Sequence, residues 1–363
     1  MGEWKEYKLG DIASFSYGKL PKHDLLGEGD YVTFSGYKYI ERYPEYNCEK
    51  GDVILVARGV GGTGDVKLTS QQCFLTNLSI KIELDNSIVL NDYFYNMFRQ
   101  ENLRYLDSGS AQSQITIQDL ANVIIEVPSI DEQKRIAGVL SSLDDKIDLL
   151  HRENATLEAL AETLFRHYFI ENPNPEWKEG KLGDEFNFTM GQSPCGDSFN
   201  EDGIGIPMYQ GNADFGFRFP TRRVYTTAPT RYAEENDTLI SVRAPVGAQN
   251  MASERCCIGR GVAAFRHKDK SLYSYTYYKL KSLLEDIRQF NDNGTVFGSI
   301  SKSDFENIDI VIPNRDSIVA FQKQAMPIDE KIRTNYKQIL VLSAQRDSLL
   351  PRLMSGETKV TGQ

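Results

Sequence analysis

The sequence is poor in the residues that build disulfide frameworks and metal centres. Its 363 residues include five cysteines, an odd number without a C-x-x-C pair, and four histidines without ligand-like spacing. A disulfide framework requires paired cysteines, and a structural zinc site requires closely spaced cysteine or histidine ligands. Neither kind of site is predicted, and we expect the thiols to be reduced and mostly buried.

Long apolar runs are also absent. No stretch approaches the roughly 20 apolar residues that span a bilayer. The opening segment MGEWKEYKLGD has no apolar region of the kind that a signal peptide contains, and it does not match a myristoylation motif. Because 40 % of the residues are hydrophobic and 25 % are charged, we expect a soluble, cytoplasmic protein of two or three globular domains.

An excess of positive charge is likewise missing. The formal net charge is −10, which argues against a histone-like nucleic-acid binder. The charges are unevenly distributed, however. Residues 215–232 contain Arg218, Arg222, Arg223 and Arg231 without an acidic residue.

The motifs of common enzyme classes are absent as well. There is no P-loop, no H-E-x-x-H and no G-x-S-x-G motif. Residues 58–64, RGVGGTG, contain G-x-G-x-x-G after a strand, but a dinucleotide site would need a helix next. Turn and strand residues follow instead, so we interpret the segment as a glycine-rich hairpin loop. No catalytic constellation is predicted.

What the sequence does contain is an internal repeat. Residues 3–11, EWKEYKLGD, recur at 176–184 as EWKEGKLGD and differ only at Tyr7 and Gly180. Residues 109–128 similarly match 294–313, and each copy ends in an alternating apolar strand and a proline. We predict a tandem duplication whose unit is too long for a solenoid repeat.

A segment with a heptad pattern follows each copy. Its apolar positions alternate between spacings of four and three residues, which is typical of a coiled-coil helix. One helix cannot bury such a stripe alone, so we predict that the two helices pack antiparallel about a pseudo-two-fold axis. The alternative is that each stripe packs onto its own domain. The predicted seam comprises Ile136, Leu140, Leu143, Ile147, Leu150, Leu157, Leu164, Phe321, Ile328, Ile332, Ile339, Leu342 and Leu349.

Several polar residues and a proline modify these helices. Ser129 and Glu132 fit a capping box at the start of the first helix, and Pro327 is expected to kink the second. Asn154 and Asn335 interrupt the stripes. A polar seam residue can specify register at a cost in stability, and a solvated position is the alternative.

The globular parts contain both strand and helix patterns. Segments such as DVILVAR and DTLISVRA read as strands, whereas YSYTYYKLKSLLEDIRQF reads as a helix whose tyrosines belong to the core. We therefore predict an α+β fold with two mixed α/β domains separated by the long helices. The predicted divisions are a first domain at 1–128, a central helix at 129–170, a linker at 171–176, a second domain at 177–313, a C-terminal helix at 314–357 and a tail at 358–363.

Over essentially its whole length the chain resembles the specificity (S) subunit of type I restriction–modification systems. The residues that carry the resemblance are the two EWKE-x-KLGD segments, VPSIDEQKRIAGVLSSLDDKIDLL at the first long helix, and LLPRLMSGE at the end of the second. The second helix departs from the pattern, because NRDSIVAFQKQ stands where the first helix has the EQ-RI motif. Its partner contacts are accordingly less well specified.

The resemblance implies a prokaryotic, cytoplasmic protein that recognises DNA and performs no catalysis. Each domain would be a target-recognition domain that reads one half of a bipartite, asymmetric site, and the helices would set the spacing. Two methyltransferase subunits would dock on the chain, and restriction subunits could join them. S-adenosylmethionine, ATP and Mg²⁺ would belong to those partners.

Polar residues in loops after strands are the candidate DNA contacts. Arginine suits guanine, asparagine and glutamine suit adenine, and lysine suits phosphate. In the first domain we select Lys19, Arg58, Thr63, Lys67, Gln112 and Gln114. In the second domain we select Gln192, Gln210, Asn212, Arg218, Arg222, Arg243 and Gln249.

Two other functions compete with this interpretation. One is a coiled-coil adaptor whose duplicated domains bind proteins without DNA specificity. The other is a nucleotide-dependent enzyme that uses residues 58–64. Specific binding to a split DNA sequence would separate the first from an S subunit, and dinucleotide binding would identify the second.

Overall fold

The computed structural model describes residues 4–36, 38–59, 62–107, 113–243, 245–289 and 300–360. The chain divides into two units, and both boundaries between them fall within the long helices. Unit 1 comprises Met1–Leu149 and Gln338–Gln363, and unit 2 comprises Leu150–Lys337. Each long helix therefore contributes one segment to each unit.

In unit 1, the globular part consists mainly of short strands. Its described helices are short too, because turn residues interrupt each apolar run after a few positions. The strands are β1 Lys5–Lys8, β2 Ala13–Tyr17, β3 Tyr31–Ser35, β4 Lys38–Tyr43, β5 Val53–Val56, β6 Val66–Leu68, β7 Cys73–Leu75, β8 Ser79–Leu84 and β9 Ile124–Val127; the helices are α1 Leu9–Ile12, α2 Asn91–Met97 and α3 Ile117–Ala121, with 3₁₀ turns at His23–Leu25 and Leu103–Leu106.

The strands of unit 1 form three sheets. A four-stranded sheet has the order β2-β8-β5-β6, a three-stranded sheet has the order β4-β3-β7, and β1 pairs with β9. β3 and β7 run parallel, whereas the other pairs are antiparallel. β5 is buried at every position, as expected for a strand covered on both faces.

Unit 2 contains a longer set of elements in the same style. Its strands are β10 Lys178–Lys181, β11 Phe186–Met190, β12 Phe199–Asn200, β13 Ile206–Tyr209, β14 Val224–Thr226, β15 Tyr232–Ala233, β16 Thr238–Ser241, β17 Gln249–Met251, β18 Cys256–Ile258, β19 Val262–His267 and β20 Asp309–Ile312. Its helices outside the long pair are α5 Leu182–Glu185, α6 Tyr273–Ser282, α7 Leu284–Gln289 and α8 Lys302–Glu306, with a π-helical segment at His167–Glu171 and 3₁₀ turns at Gly196–Ser198 and Asn212–Asp214.

The sheets of unit 2 repeat those of unit 1. The order β11-β19-β16-β17 corresponds to β2-β8-β5-β6, and β10 pairs with β20 as β1 pairs with β9. The third sheet is enlarged to β12-β14-β13-β18-β15, and its central pair β13 and β18 is again parallel. α3 and α8 also correspond, since Thr116 and Ser301 each begin one of them with a capping box. The predicted α+β duplication is confirmed.

Two long helices, α4 Ile130–Arg166 and α9 Arg315–Met354, carry the predicted heptad stripes. At the start of α4 the Ser129 hydroxyl accepts a hydrogen bond from the Glu132 N–H at 3.4 Å. α9 continues through Pro327, where we expected a kink, without a break in its helical assignment.

Within each unit the α4 and α9 segments contact each other, and the contacts in unit 2 show that the two segments run antiparallel there. In unit 1, Arg346 donates to Asp144 at 2.9 Å. In unit 2, the Asn335 amide donates to Asn154 at 2.9 Å, and the rings of Phe165 and Phe321 lie 5.5 Å apart. All thirteen residues of the predicted seam are buried or half-buried. Coiled-coil pairing along the whole length of the helices stays a prediction.

Several smaller expectations have an outcome in the fold. β5 and β6 are antiparallel neighbours, so the glycine-rich segment 58–64 joins two strands and does not open a helix. Four of the five cysteines are buried, and Cys195 is exposed. Among the described residues, no helix combines the length and apolarity needed to cross a membrane, and no group of three or more His, Cys, Asp and Glu could hold a metal ion.

Candidate nucleic-acid interface

In unit 2, polar loops gather where two parallel strands end. Tyr209 of β13 lies beside Ile258 of β18, and the Gly259 N–H donates to the Tyr209 carbonyl at 2.8 Å. Because the carboxyl ends of parallel neighbours meet at one sheet edge, the residues that follow each strand become neighbours. Gln210 and Arg260 are brought together in this way.

A buried carboxylate shapes the first of these loops. Asp214, only 4 % exposed, accepts hydrogen bonds from the N–H of Gln210 at 2.6 Å and of Gly211 at 3.3 Å. Its other oxygen accepts a hydrogen bond from Nε of Arg223 at 3.2 Å. Asp214 therefore holds both the backbone of the loop and one arginine side chain in place.

These loops line an open depression of about 470 Å³. Gln210, Asn212, Arg223, Arg243 and Arg260 all contribute to its wall. Only Arg223 is neutralised by Asp214; in the described part of the chain, the guanidinium groups of Arg243 and Arg260 have no ion-pair partner. The depression therefore carries unbalanced positive charge beside amide side chains, a combination suited to phosphate and base edges.

The loop after β11 completes this edge. The Gln192 N–H donates to the Ile258 carbonyl at 3.0 Å. A Cβ atom at Gly191 would lie 2.1 Å from the Gly259 carbonyl oxygen, so only glycine allows this approach. Gln192, which is exposed, is thereby held beside the turn that carries Arg260.

Unit 1 builds the same arrangement from different side chains. The Lys19 N–H donates to the Leu75 carbonyl at 3.0 Å, and the Thr76 N–H donates to the Phe34 carbonyl at 3.1 Å. These bonds match those made by Gln192 and Gly259 in unit 2. A Cβ atom at Gly18 would lie 2.2 Å from the Thr76 carbonyl oxygen, as at Gly191 in unit 2. Lys19 and Asn77 consequently occupy the positions that Gln192 and Arg260 occupy in unit 2.

Arg58 and Arg243 are also counterparts. The Ala57 N–H donates to the Leu78 carbonyl at 2.9 Å, and the Val242 N–H donates to the Gly261 carbonyl at 2.9 Å. The residues that follow, Arg58 and Arg243, therefore correspond. Gln114 and Arg58 form an isolated antiparallel β-bridge through their backbones. We define the strand-end cluster of unit 1 as Lys19, Arg58, Asn77 and Gln114, and that of unit 2 as Gln192, Gln210, Asn212, Arg223, Arg243 and Arg260.

Sequence reasoning selected seven residues of these clusters and missed three. Asn77, Arg223 and Arg260 were not selected as DNA contacts. Arg260 lies between two glycines in the turn that joins β18 to β19, and a basic residue in a glycine-flanked hairpin turn is the signal that could have identified it. Asn77 occupies the corresponding turn of unit 1.

Other selected residues lie outside the clusters. Lys67 Nζ lies 3.7 Å from a carboxylate oxygen of Asp65. Arg222 Nε lies 2.6 Å from a carboxylate oxygen of Glu254, and this hydrogen bond raises the pKa of Arg222. The Gln249 amide donates to the Tyr277 carbonyl at 2.7 Å. Gln112 lies outside the described residues.

Two selected residues require correction. Arg218 is 2 % exposed and its guanidinium pairs with Asp329. Thr63 is 3 % exposed, and its hydroxyl donates to the Gly59 carbonyl at 3.0 Å. Neither side chain is accessible to DNA, because each is buried and bonded to other residues of the fold. We remove both from the set of DNA contacts.

Comparison with known proteins agrees with the duplicated architecture. The family described as type I restriction modification DNA specificity domain matches twice, at residues 1–159 and 174–338. The chain is 31 % identical to a putative type I restriction enzyme MjaX specificity subunit from Methanocaldococcus jannaschii, over 74 % of this chain and 67 % of that protein. It is 23 % identical to the HindI specificity subunit from Haemophilus influenzae, over 98 % of this chain and 100 % of that protein.

A solved structure shares the fold. The crystal structure of a type I restriction–modification S subunit from M. genitalium superposes with a TM-score of 0.69 at 21 % identity, covering 99 % of this chain and 97 % of that one. At this identity the likeness bears on the fold alone. Together with the two family matches, which span most of the sequence, it leads to one conclusion: the chain belongs to the specificity subunits of type I restriction–modification systems.

Proposed function

We propose that each unit reads one half of a bipartite, asymmetric DNA site through its strand-end cluster. The observation that carries this proposal is the repetition of the cluster. Matching backbone hydrogen bonds, made by Lys19 and Gln192 and by Thr76 and Gly259, hold equivalent loops in the two units. These loops present Lys19 and Asn77 in unit 1 but Gln192 and Arg260 in unit 2. One scaffold with two different sets of side chains is what two unlike half-sites require, since base edges are distinguished by their donors and acceptors.

The acidic net charge is compatible with this function. Counter-ion release depends on the local groups that neutralise phosphates and not on the charge of the whole chain. Arg243 and Arg260 supply such groups at one edge of unit 2. The acidic residues can lie elsewhere, including on helix surfaces that face protein partners.

The long helices would set the spacing between the half-sites. α4 contains 37 residues and is therefore about 55 Å long at 1.5 Å per residue. Half-sites that are read on one face of a duplex are separated by one turn, about 34 Å, or a multiple of it. A helix of this length is sufficient for that separation.

The chain would act within a larger complex and would not itself catalyse a reaction. Two methyltransferase subunits would dock on it to form a DNA methylase, and restriction subunits would join in the full complex. S-adenosylmethionine, ATP and Mg²⁺ would be bound by those subunits. The contribution of this chain is the choice of DNA sequence.

Exchange of residues 177–313 tests the modular reading. Replacing them with the corresponding segment of another specificity subunit should change one half of the methylated sequence and preserve the other. The methylated adenines of a host that expresses the chimera together with its methyltransferase subunits would be mapped genome-wide. A change in both halves of the methylated sequence, or in neither, would refute independent reading of the half-sites by the two units. A complex that binds proteins but shows no sequence-specific binding to DNA would favour the coiled-coil adaptor.

Leu143→Asp tests the helix contacts. Leu143 is half-buried in the predicted seam, and a carboxylate there loses hydration without gaining a partner. We expect unit 1 to lose at least about 1 kcal/mol of stability and the chain to retain less methyltransferase subunit in a pull-down. Ser142→Asp, at the exposed neighbouring position, is the control. Full assembly by the Leu143 variant would contradict a role of the seam in docking.

A further inference from the structure

A carboxylate of α4 joins the globular part of unit 1 to both long helices. Asp144 accepts hydrogen bonds from Arg99, which follows α2, at 3.1 Å and from Arg346 of α9 at 2.9 Å. Burial opposes the ionisation of Asp144, but the two arginines prevail and lower its pKa. The three groups are partly shielded from solvent, with side-chain exposures of 29 %, 22 % and 16 %.

Unit 2 contains a more deeply buried connection of the same kind. The Arg218 guanidinium pairs with Asp329 of α9 and lies 3.6 Å from Glu158 of α4. It also stacks on the Tyr277 ring at 3.6 Å. Although burial disfavours the cation, these neighbours, Asp329 foremost, hold the pKa of Arg218 well above its usual range.

Asp144 and Asp329 occupy equivalent positions of the internal repeat. Asp144 follows Pro128 by sixteen residues, and Asp329 follows Pro313 by the same number. Their arginine partners are not equivalent, since Arg99 follows α2 whereas Arg218 precedes β14. The duplicated position therefore keeps its carboxylate and its role while each globular part supplies its own cation.

A charged connection differs from apolar packing in what it specifies. Apolar surfaces tolerate small sliding movements, because the hydrophobic effect is non-directional. A buried ion pair with hydrogen bonds is satisfied in one geometry and is costly in others. Each unit has a hydrogen-bonded ion cluster between its globular part and the helix pair, partly buried in unit 1 and buried in unit 2. α4 contributes to both clusters, through Asp144 and Glu158.

We propose that Asp144 and Asp329 are positioning residues that orient each recognition part on the long helices. This proposal rests on the proposed function, and it adds residues that determine which spacer length between the half-sites is accepted. The carboxylates do not touch DNA. They act through the strand-end clusters, whose direction depends on how each globular part is seated on the helices.

The test measures spacer discrimination with the full chain and its methyltransferase subunits. Duplexes would carry the same two half-sites with the native spacer or with one base pair added or removed. The ratio of affinities for native and altered spacers is the readout. In Asp144→Asn and Asp329→Asn we expect this ratio to fall about fivefold or more, while the preferred bases within each half-site stay the same.

Controls separate orientation from loss of folding. Asp145→Asn changes an exposed neighbour on α4 and should leave the ratio unchanged. If Asp329→Asn does not fold, the half-buried Asp144 site still decides the question. Folded variants with an unchanged ratio would overturn the proposal, and so would an equal loss of affinity for every spacer. Failure of the wild-type complex to prefer any split site would instead refute the proposed function.

Discussion

Replacing Arg243 and Arg260 together with alanine is expected to lower affinity for the half-site of unit 2 about 100-fold, because each well-placed arginine contributes about 1–3 kcal/mol. Both side chains line the same depression. Both lack an ion-pair partner among the residues that the structure describes, so their removal leaves no buried acid unpaired. The effect should therefore appear in binding and not in folding.

The salt dependence of binding then distinguishes two roles for these arginines. A phosphate contact reduces the slope of log affinity against log salt by about one per arginine. A base contact instead relaxes the preference at one base pair of the half-site. Arg255→Ala is a matched control, since Arg255 is paired with Glu234 at 3.3 Å and lies outside the depression. An unchanged affinity of the double variant would exclude the depression as a DNA contact.

Arg218→Met is expected to lower the stability of unit 2 by about 3–5 kcal/mol, the usual result of removing one partner of a buried ion pair. Asp329 and Glu158 have side-chain exposures of 3 % and 8 %. Without the guanidinium, Asp329 would keep the Tyr278 hydroxyl at 3.2 Å, whereas Glu158 would keep its ion pair with Lys281 at 2.5 Å. Within the described part of unit 2, the buried Asp329 charge would therefore have no cation beside it. The second change Asp329→Leu should recover part of the loss, because it removes this charge.

The two tryptophans allow unfolding of unit 2 to be followed separately. Trp4 lies in unit 1 and Trp177 in unit 2, so in a Trp4→Phe background the fluorescence in denaturant reports unit 2. Arg222→Met is the control, as Arg222 is exposed and forms an ion pair with Glu254. Surface pairs contribute about 0–1 kcal/mol. Equal stability losses in the two variants would show that the buried cluster has no special role.

Periodic features were predictable from the sequence because their physical cause is local. The heptad stripe follows from the 3.6-residue turn of a helix and the need to bury one face. All predicted seam positions are indeed buried or half-buried. The capped starts of α3 and α8 and the strand character of β5 are local features in the same sense.

The candidate DNA contacts were predictable only in part, because the role of a polar residue depends on distant neighbours. Arg218 and Arg222 stand in the same basic stretch of sequence, yet one is buried against α9 and the other is exposed beside Glu254. Gln249 was selected as a polar loop residue, but it is the first residue of β17, and its amide donates to the Tyr277 carbonyl. Such pairings join residues far apart in the chain, and no spacing rule reveals them.

The duplication, the two long helices, the α+β class and the family could all be determined from the sequence. Repeated segments, heptad spacing and characteristic motifs are all properties of residues that lie close together in the sequence. The tertiary structure alone decided which polar side chains gather at the strand ends and which are consumed inside the fold. Parallel pairing of β3 with β7 and of β13 with β18 brings together loops that are remote in sequence. Burial also decides the role of each arginine. An exposed arginine is available for a partner molecule, whereas a buried one, such as Arg218, pairs with a carboxylate of the long helices.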